Sequence, residues 1–167
     1  MKYLSLASYF GSILLANALV VTVGLLPVGF GLVAPAGVLV VGLTLALRDR
    51  VQDEWGRGMT YLAIVLGCAL SASFAGPFAL ASFVAFLASE TADMLVYSPL
   101  RTRGRILLAI ALSNTVGAVI DSAVFLQIGF GSQEFLAGQV LGKMEATAAV
   151  LMVVFLMQQW QRRWTEA

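Results

Sequence analysis

The sequence contains no histidine and a single cysteine, Cys68, among its 167 residues. Histidine is the commonest metal ligand and the commonest general base of proteins, so both kinds of site lack their usual residue. One cysteine forms neither a disulfide within the chain nor a thiolate metal site. Because no Ser/His, Cys/His or paired-metal arrangement is available, we expect neither an enzyme nor a bound cofactor or metal ion.

Charged residues are also scarce. They make up 11% of the chain, whereas a soluble domain carries about 25%. Hydrophobic residues make up 60%, and the mean hydropathy is +0.91. This composition predicts an integral membrane protein whose main partner is the lipid bilayer. The net charge of +1 implies no attraction to nucleic acid, which we do not expect as a partner.

Six apolar runs are long enough to cross the hydrocarbon core, which takes about 20 residues. They fall at 4–26, 30–48, 59–76, 78–98, 105–127 and 136–160. The breaks at 26–31 and 74–78 hold no charge but contain Pro and Gly, which punctuate helices. The sequence therefore predicts an all-α integral membrane protein: residues 1–167 form one domain, a compact bundle of six transmembrane helices.

The basic residues test this division, because six spans place successive loops on alternate sides of the membrane. Nine of the ten basic residues then share one side: Lys2, Arg48, Arg50, Arg57, Arg101, Arg103, Arg105, Arg162 and Arg163. Cytoplasmic loops are enriched in Lys and Arg, so this pattern predicts a cytoplasmic (inner) membrane protein with both termini in the cytoplasm. The alternative is that "MKYLSLASYFGSILLANA" is a cleaved signal peptide. The apolar run continues to Leu26, which favours a retained first helix.

Several polar side chains lie inside these runs, where they are costly unless they face protein, water or a ligand. On the fourth predicted helix, Glu90, Asp93 and Tyr97 share one face because they are spaced at i, i+3 and i+7. The two carboxylates can accept N–H groups of a solute. In the alternative interpretation, Asp93 pairs with the arginines of 101–105 at the membrane surface.

The fifth predicted helix places Asn114, Gly117 and Asp121 on one face. Gly117 leaves space for a ligand or for a close neighbouring helix, since small and polar residues also join membrane helices. The sixth carries Gln139 and Lys143 at i and i+4. Lys143 is the one basic residue outside the predicted cytoplasmic segments. It either pairs with an unmatched carboxylate of the fourth or fifth helix or extends to the outer headgroups.

Three further residues complete the candidate set. Asn17 lies in the middle of the first helix and can donate and accept hydrogen bonds, either to a heterocycle or to another helix. Asp49 stands at the mouth of the second predicted helix, and the aromatic Phe125 follows the polar face of the fifth. Carboxylates, amides and one lysine beside aromatic rings suit a small, planar, hydrogen-bonding solute. They do not suit an ion channel, which needs rings of like residues or a carbonyl filter.

The order of these features resembles that of the VUT family, the queuosine precursor transporters, which are six-helix membrane proteins. The most specific segments are "ASFVAFLASETADMLVYSPLRTRGR", "SNTVGAVIDSAVF" and "GKMEATAAVL", which fall within residues 80–150. An Asn in the first helix, a Pro-Ala-Gly opening of the second, and Asp49 followed by "EWG" match more loosely. The family is similar in size and helix count to the substrate-binding subunits of ATPase-driven vitamin importers.

The resemblance implies uptake of a purine-like base, 7-cyano- or 7-aminomethyl-7-deazaguanine. With that substrate, Glu90 or Asp121 would accept the paired N–H donors of the base. The acceptor atoms of the base would receive hydrogen bonds from Asn17, Asn114 or Lys143. The ring of the base would stack on Tyr97 or Phe125. The chain has no Walker motif, so it does not hydrolyse ATP alone. One alternative to a transporter is therefore the substrate-binding subunit of an importer energised by a separate ATPase. Another is a non-transporting membrane scaffold. Homo-oligomerisation and an energising partner complex both stay open.

Overall fold

The computed structural model describes the backbone of residues 2–165 and the side chains of these residues except 2, 77 and 161–165. In this part of the chain five α-helices accompany one two-stranded antiparallel sheet. Their bounds are α1 Lys2–Thr22, β1 Leu25–Pro27, β2 Val33–Pro35, α2 Val38–Phe74, α3 Ala79–Thr102, α4 Ile106–Phe130 and α5 Leu136–Thr165. All five helices are long and apolar enough to cross a membrane. The predicted all-α bundle is thus confirmed, apart from the short sheet.

The longest helix, α2, is broken at Gly56. Gly56 has φ 80° and ψ 170°, values outside the helical region that glycine adopts readily because it has no Cβ. We refer to residues 38–55 as α2a and to residues 57–74 as α2b. The sequence predicted a loop at 48–58, whereas the structure keeps this charged stretch helical except at the single glycine.

Contacts with α1 show that the chain reverses direction at Gly56. Along α2a, the Ser5 hydroxyl donates to Glu54 near one end of α1, and Gly37 packs on Ala16 near the other, so α2a runs antiparallel to α1. Along α2b, Gly67 faces Ile13, and Asn17 donates to Ser71, so α2b runs parallel to α1. A straight helix of 37 residues would be about 55 Å long and could not make both sets of contacts.

A β-hairpin replaces the start of the second predicted span. The sequence predicted a helix from residue 30, but α2 begins at Val38, and Leu26 pairs with Ala34 in the sheet. Three consecutive residues at the tip, Gly29, Phe30 and Gly31, have positive φ, which a right-handed helix does not allow. The proline at each end of this segment also lacks the N–H that a helix interior needs.

The connections at Gly56 and between α3 and α4 lie at one end of the bundle. Arg101, in the last turn of α3, donates to Asp53 over 2.9 Å, and Ser5 of α1 reaches Glu54 over 2.6 Å. Arg57, Arg103 and Arg105 are exposed in these two connections. The hairpin and the α2–α3 and α4–α5 connections lie at the opposite end.

Candidate functional site

A cavity of about 300 Å³ lies between the helices and extends from the hairpin end of the bundle towards its middle. Pro35, Gly37 and Phe78 line its outer part, and Thr44, Ser89 and Glu90 line its inner part. The remaining polar residues in its wall are Asn17, Ser71, Ser82, Asp121, Gln139 and Lys143. Most of the wall is apolar, and ligand pockets typically combine such a wall with a few polar groups.

Arg48 and three carboxylates form a fully buried ion cluster beneath the cavity. The Arg48 guanidinium bonds Glu90 Oε2 through Nε at 3.0 Å and contacts Asp49 Oδ1 through Nη1 at 3.0 Å. Its Nη2 pairs with Asp93 Oδ1. The side chains of Arg48, Glu90 and Asp93 have no exposed surface, and that of Asp49 is 3% exposed. The cluster ties α2a to α3, and Glu90 is its one member that lines the cavity.

Tyr97 and Gly117 shape the surroundings of this cluster. The Arg48 Cζ lies 5.9 Å from the centre of the Tyr97 ring, within reach of a cation–π contact, and the Tyr97 hydroxyl donates to Asp53 at 3.4 Å. On the other side, a Cβ at Gly117 would lie 3.3 Å from Asp93. The glycine therefore lets α4 approach the carboxylate closely.

A second ion pair stands in the cavity wall. Lys143 Nζ donates to Asp121 Oδ2 at 2.5 Å and to Ser122 Oγ at 2.7 Å, which joins α5 to α4. The Lys143 side chain is 3% exposed and that of Asp121 is 27% exposed. The lysine is thus enclosed, whereas the aspartate presents part of its carboxylate to the cavity that it lines.

Some buried polar groups in the wall have no protein partner. Gln139 is 5% exposed, and its side-chain amide makes no hydrogen bond with any described residue. Glu90 Oε1 is buried and likewise has no hydrogen-bond partner among the described residues. The bonds of Asn17, to Ile13 O at 2.9 Å and Ser71 Oγ at 3.3 Å, use its amide nitrogen only. Buried polar groups are nearly always satisfied in proteins, so Glu90 Oε1 in particular is a position for a polar atom of a ligand. The Gln139 amide and the Asn17 carbonyl are additional polar groups of the wall that a ligand can bind.

Aromatic rings flank these polar groups. Phe125 packs against Phe78 and Phe130, with ring centres 6.2 and 6.0 Å away. The cavity is lined by Phe78 and Phe125, together with Phe74 and Phe86 from α2b and α3. Such rings can stack on a flat ligand.

The chain matches a known protein family from α2b to α5. The family described as "Putative vitamin uptake transporter" matches residues 73–160, which is more than half of the chain. The chain belongs to this VUT family. No curated protein and no solved structure matches the chain significantly. The predicted similarity to the binding subunits of vitamin importers therefore stays a prediction.

The family is one of transporters and not of enzymes. Together with five helices of membrane-spanning length, this membership makes the chain a multi-pass membrane protein that moves a small solute. The match covers Glu90, Asp93, Asp121 and Lys143 in α3–α5. Arg48, in α2a, lies outside the matched residues.

The structure brings together most of the site residues predicted from the sequence. Six of them line the cavity: Asn17, Glu90, Asp121, Phe125, Gln139 and Lys143. Asp49, Asp93 and Tyr97 lie beside Arg48, outside the cavity wall. Asn114 is buried between α4 and α5, where its amide donates to Thr147 Oγ1 at 3.3 Å. Lys143 pairs with the carboxylate of Asp121, which agrees with one of its two predicted interactions, and does not extend to the outer headgroups.

Arg48 is the main site residue that the sequence does not predict. The charge pattern places it among the cytoplasmic loop residues, whereas the structure buries it fully in the ion cluster. The pairing of Asp93 with the arginines of 101–105 is also wrong, since Asp93 pairs with Arg48, and Arg101 pairs with Asp53. The sequence did hold a signal: Arg48 follows an apolar run directly, and the chain has carboxylates on the fourth helix that needed a cation.

Proposed function

We propose that the protein imports a planar, purine-like base across the cytoplasmic membrane, and that this base is a 7-deazaguanine precursor of queuosine. The observation that carries the proposal is a pair of polar groups in the cavity wall that bond no described residue, the buried Glu90 Oε1 and the Gln139 amide, beside phenylalanine rings. A flat molecule with several donors and acceptors would satisfy these groups. Membership of a vitamin-uptake family supports the same class of solute.

The chemistry of the wall matches a guanine-like edge, which has two N–H donors beside a carbonyl. Carboxylate oxygens of Glu90 or Asp121 accept such paired donors. The free carbonyl of Asn17 accepts another N–H, and the Gln139 amide can serve either a donor or an acceptor of the base. Phe125 stacks on the ring from the side of α4. In this arrangement Asn114 and Tyr97 support the helices and do not touch the base.

We also propose that α2a and α2b are separate spans, which gives six transmembrane helices in a single domain comprising residues 1–167. The exposed arginines at the Gly56 end, Arg57, Arg103 and Arg105, then lie in the cytoplasm, where basic residues are enriched. Both termini share that side. The side chains of Lys2, Arg162 and Arg163, which support the same orientation in the sequence, lie outside the described side chains.

Cysteine labelling tests this topology. In a Cys68→Ser background, one new cysteine replaces Arg103 at the Gly56 end and another replaces Ser132 at the hairpin end. An impermeant maleimide applied to intact cells should label the cysteine at 132 and should reach that at 103 only after the membrane is opened. The reverse pattern would contradict the proposed topology, and labelling of both from outside would show that α4 does not cross the membrane.

Rescue of queuosine synthesis tests the substrate. Cells unable to make the precursors express the chain, receive 7-cyano- or 7-aminomethyl-7-deazaguanine at limiting concentration, and are assayed for queuosine in tRNA. Gln139→Leu should reduce uptake by roughly fivefold at limiting base, because one hydrogen bond contributes about 1 kcal/mol. Gln159→Leu is the matched control, since Gln159 lies exposed on the same helix and outside the cavity. A membrane-inserted protein that gives no rescue would contradict the proposed substrate.

A second candidate is a binding subunit that transports only with a separate ATPase. It is favoured by the exposed Ala7 and Gly11 on α1, because small residues let another helix approach closely. Purified protein that is stabilised against heat by the base, but gives no uptake in cells that lack the energising complex, would support this candidate.

A further inference from the structure

The buried ionisable groups around the cavity are unequal in charge. In the described part of the chain two cations, Arg48 and Lys143, face four carboxylates, those of Asp49, Glu90, Asp93 and Asp121. Lys143 matches Asp121 one to one. Arg48 alone faces the other three, so that cluster carries two formal negative charges in excess.

This excess charge reaches the cavity through Glu90. Glu90 shares Arg48 with two other carboxylates, lines the cavity, and has one buried oxygen without a hydrogen-bond partner among the described residues. An independent feature of the same cavity is Gln139, which is 5% exposed, lines the cavity and makes no side-chain hydrogen bond with any described residue, so its amide can bind a ligand. The excess negative charge therefore lies beside the same cavity in which a ligand can bind.

We infer that the ligand of this cavity carries a positive charge that compensates the excess of carboxylates. The inference rests on the proposed function, and it names the cationic member of the substrate class. 7-Aminomethyl-7-deazaguanine bears a primary alkylamine that is protonated at neutral pH, as lysine is. The 7-cyano base has the same ring and is neutral. The protein thus selects the aminomethyl base.

The expected selectivity follows from Coulomb's law. At an effective dielectric constant of about 20, one uncompensated charge about 8 Å from the ammonium changes the binding constant by more than tenfold. A neutral group in the same place gains nothing from that charge. We therefore expect the aminomethyl base to bind at least roughly tenfold more tightly than a neutral base of the same shape.

The first measurement uses the unmodified chain. Dissociation constants are measured by calorimetry on the detergent-purified protein for 7-aminomethyl-, 7-hydroxymethyl- and 7-cyano-7-deazaguanine. The hydroxymethyl base matches the aminomethyl base in size and lacks its charge. Tighter binding of the aminomethyl base than of both neutral bases supports the inference. Equal or tighter binding of a neutral base refutes it and leaves the proposed function intact, since the carboxylates would then be neutralised without the ligand.

Absence of binding by all three bases refutes the proposed function and this inference with it. The three results are therefore distinguishable in one experiment.

Two variants with opposite charge changes test the origin of the selectivity. The selectivity is the dissociation constant of a neutral base divided by that of the aminomethyl base. Asp121→Asn removes a negative charge from the wall and should lower this ratio towards one. Lys143→Met removes a positive charge and should raise that ratio. A variant that merely distorts the site weakens all the bases together and leaves the ratio unchanged, which would refute the electrostatic origin. Glu145→Gln is the control, because Glu145 is exposed on α5 and lies outside the cavity wall.

Discussion

Replacement of Arg48 by methionine should destabilise the protein strongly, although the change makes α2a more apolar. Among the described residues, Arg48 is the cation in contact with Asp49, Glu90 and Asp93, and it has no exposed surface. Methionine fills the volume of the arginine stem and removes only the charge and its hydrogen bonds. Three carboxylates would then remain buried without a counter-ion.

The magnitude follows from the cost of breaking a buried ion pair. Removal of one partner from such a pair costs about 3–5 kcal/mol, because the other charge stays buried without compensation. Here one guanidinium serves three carboxylates, so we expect the upper part of that range. The loss should be partly recovered when Arg48→Met is combined with Asp49→Asn, Glu90→Gln and Asp93→Asn, because no uncompensated charge is then left buried in the cluster.

Thermal unfolding of the detergent-purified variants, followed as the loss of monodisperse protein, measures the effect. The matched control is Arg50→Met, two residues along the same helix. The Arg50 side chain is 57% exposed and pairs only with Glu54, at 3.0 Å, within its own helix. Pairs of this kind contribute little to stability. If Arg48→Met melted at the same temperature as Arg50→Met, the ion cluster would not stabilise the fold and the reasoning would be refuted.

Three further predictions follow from the packing. Gly42→Ala should lower the free energy of unfolding by about 1–3 kcal/mol, because a Cβ there would lie 2.6 Å from backbone atoms of α5. Gly11→Ala, whose Cβ would meet no neighbouring atom within 4 Å, should be neutral or stabilising. Thermal unfolding measures both variants. Cys68 is fully buried, so a maleimide should modify it only after denaturation, and fast reaction in the folded state would contradict the packing of α2b. Glu90→Gln and Asp93→Asn each remove one charge of the excess and should keep the melting temperature. Both should weaken binding of 7-aminomethyl-7-deazaguanine in calorimetry, Glu90→Gln more strongly because it also alters the cavity wall.

The sequence predicted the helices well because each is a long apolar run with recognisable ends. It predicted the hairpin poorly, since residues 30–37 are apolar enough to continue a helix and only their backbone conformation excludes it. The two glycines and Phe30 at the tip take positive φ, and hydrophobicity does not report this. The same holds at Gly56, where one residue turns the chain inside a segment that is otherwise helical on both sides.

The site was predicted in part for a related reason. Spacing within one helix showed that Glu90 and Asp93 share a face, and that Gln139 and Lys143 do. The partners of these groups lie on other helices, and spacing along the chain does not give them. Arg48 is 42 residues from Glu90, and its position at the end of an apolar run fits a loop as well as a buried cluster.

Glu90 links helix packing to recognition, as the Lys143–Asp121 pair in the same wall also does. It belongs to the Arg48 cluster through Oε2 and to the cavity through its place in the wall. A ligand that engages Glu90 therefore acts on a carboxylate that also joins α3 to α2a. The Gln139 amide makes no hydrogen bond with any other described residue, so its replacement should change binding with little effect on the fold. Because transport requires the bundle to rearrange around its ligand, the contact between Arg48 and Glu90, like the pair between Lys143 and Asp121, is a place where occupancy of the cavity and the packing of two helices depend on the same atoms.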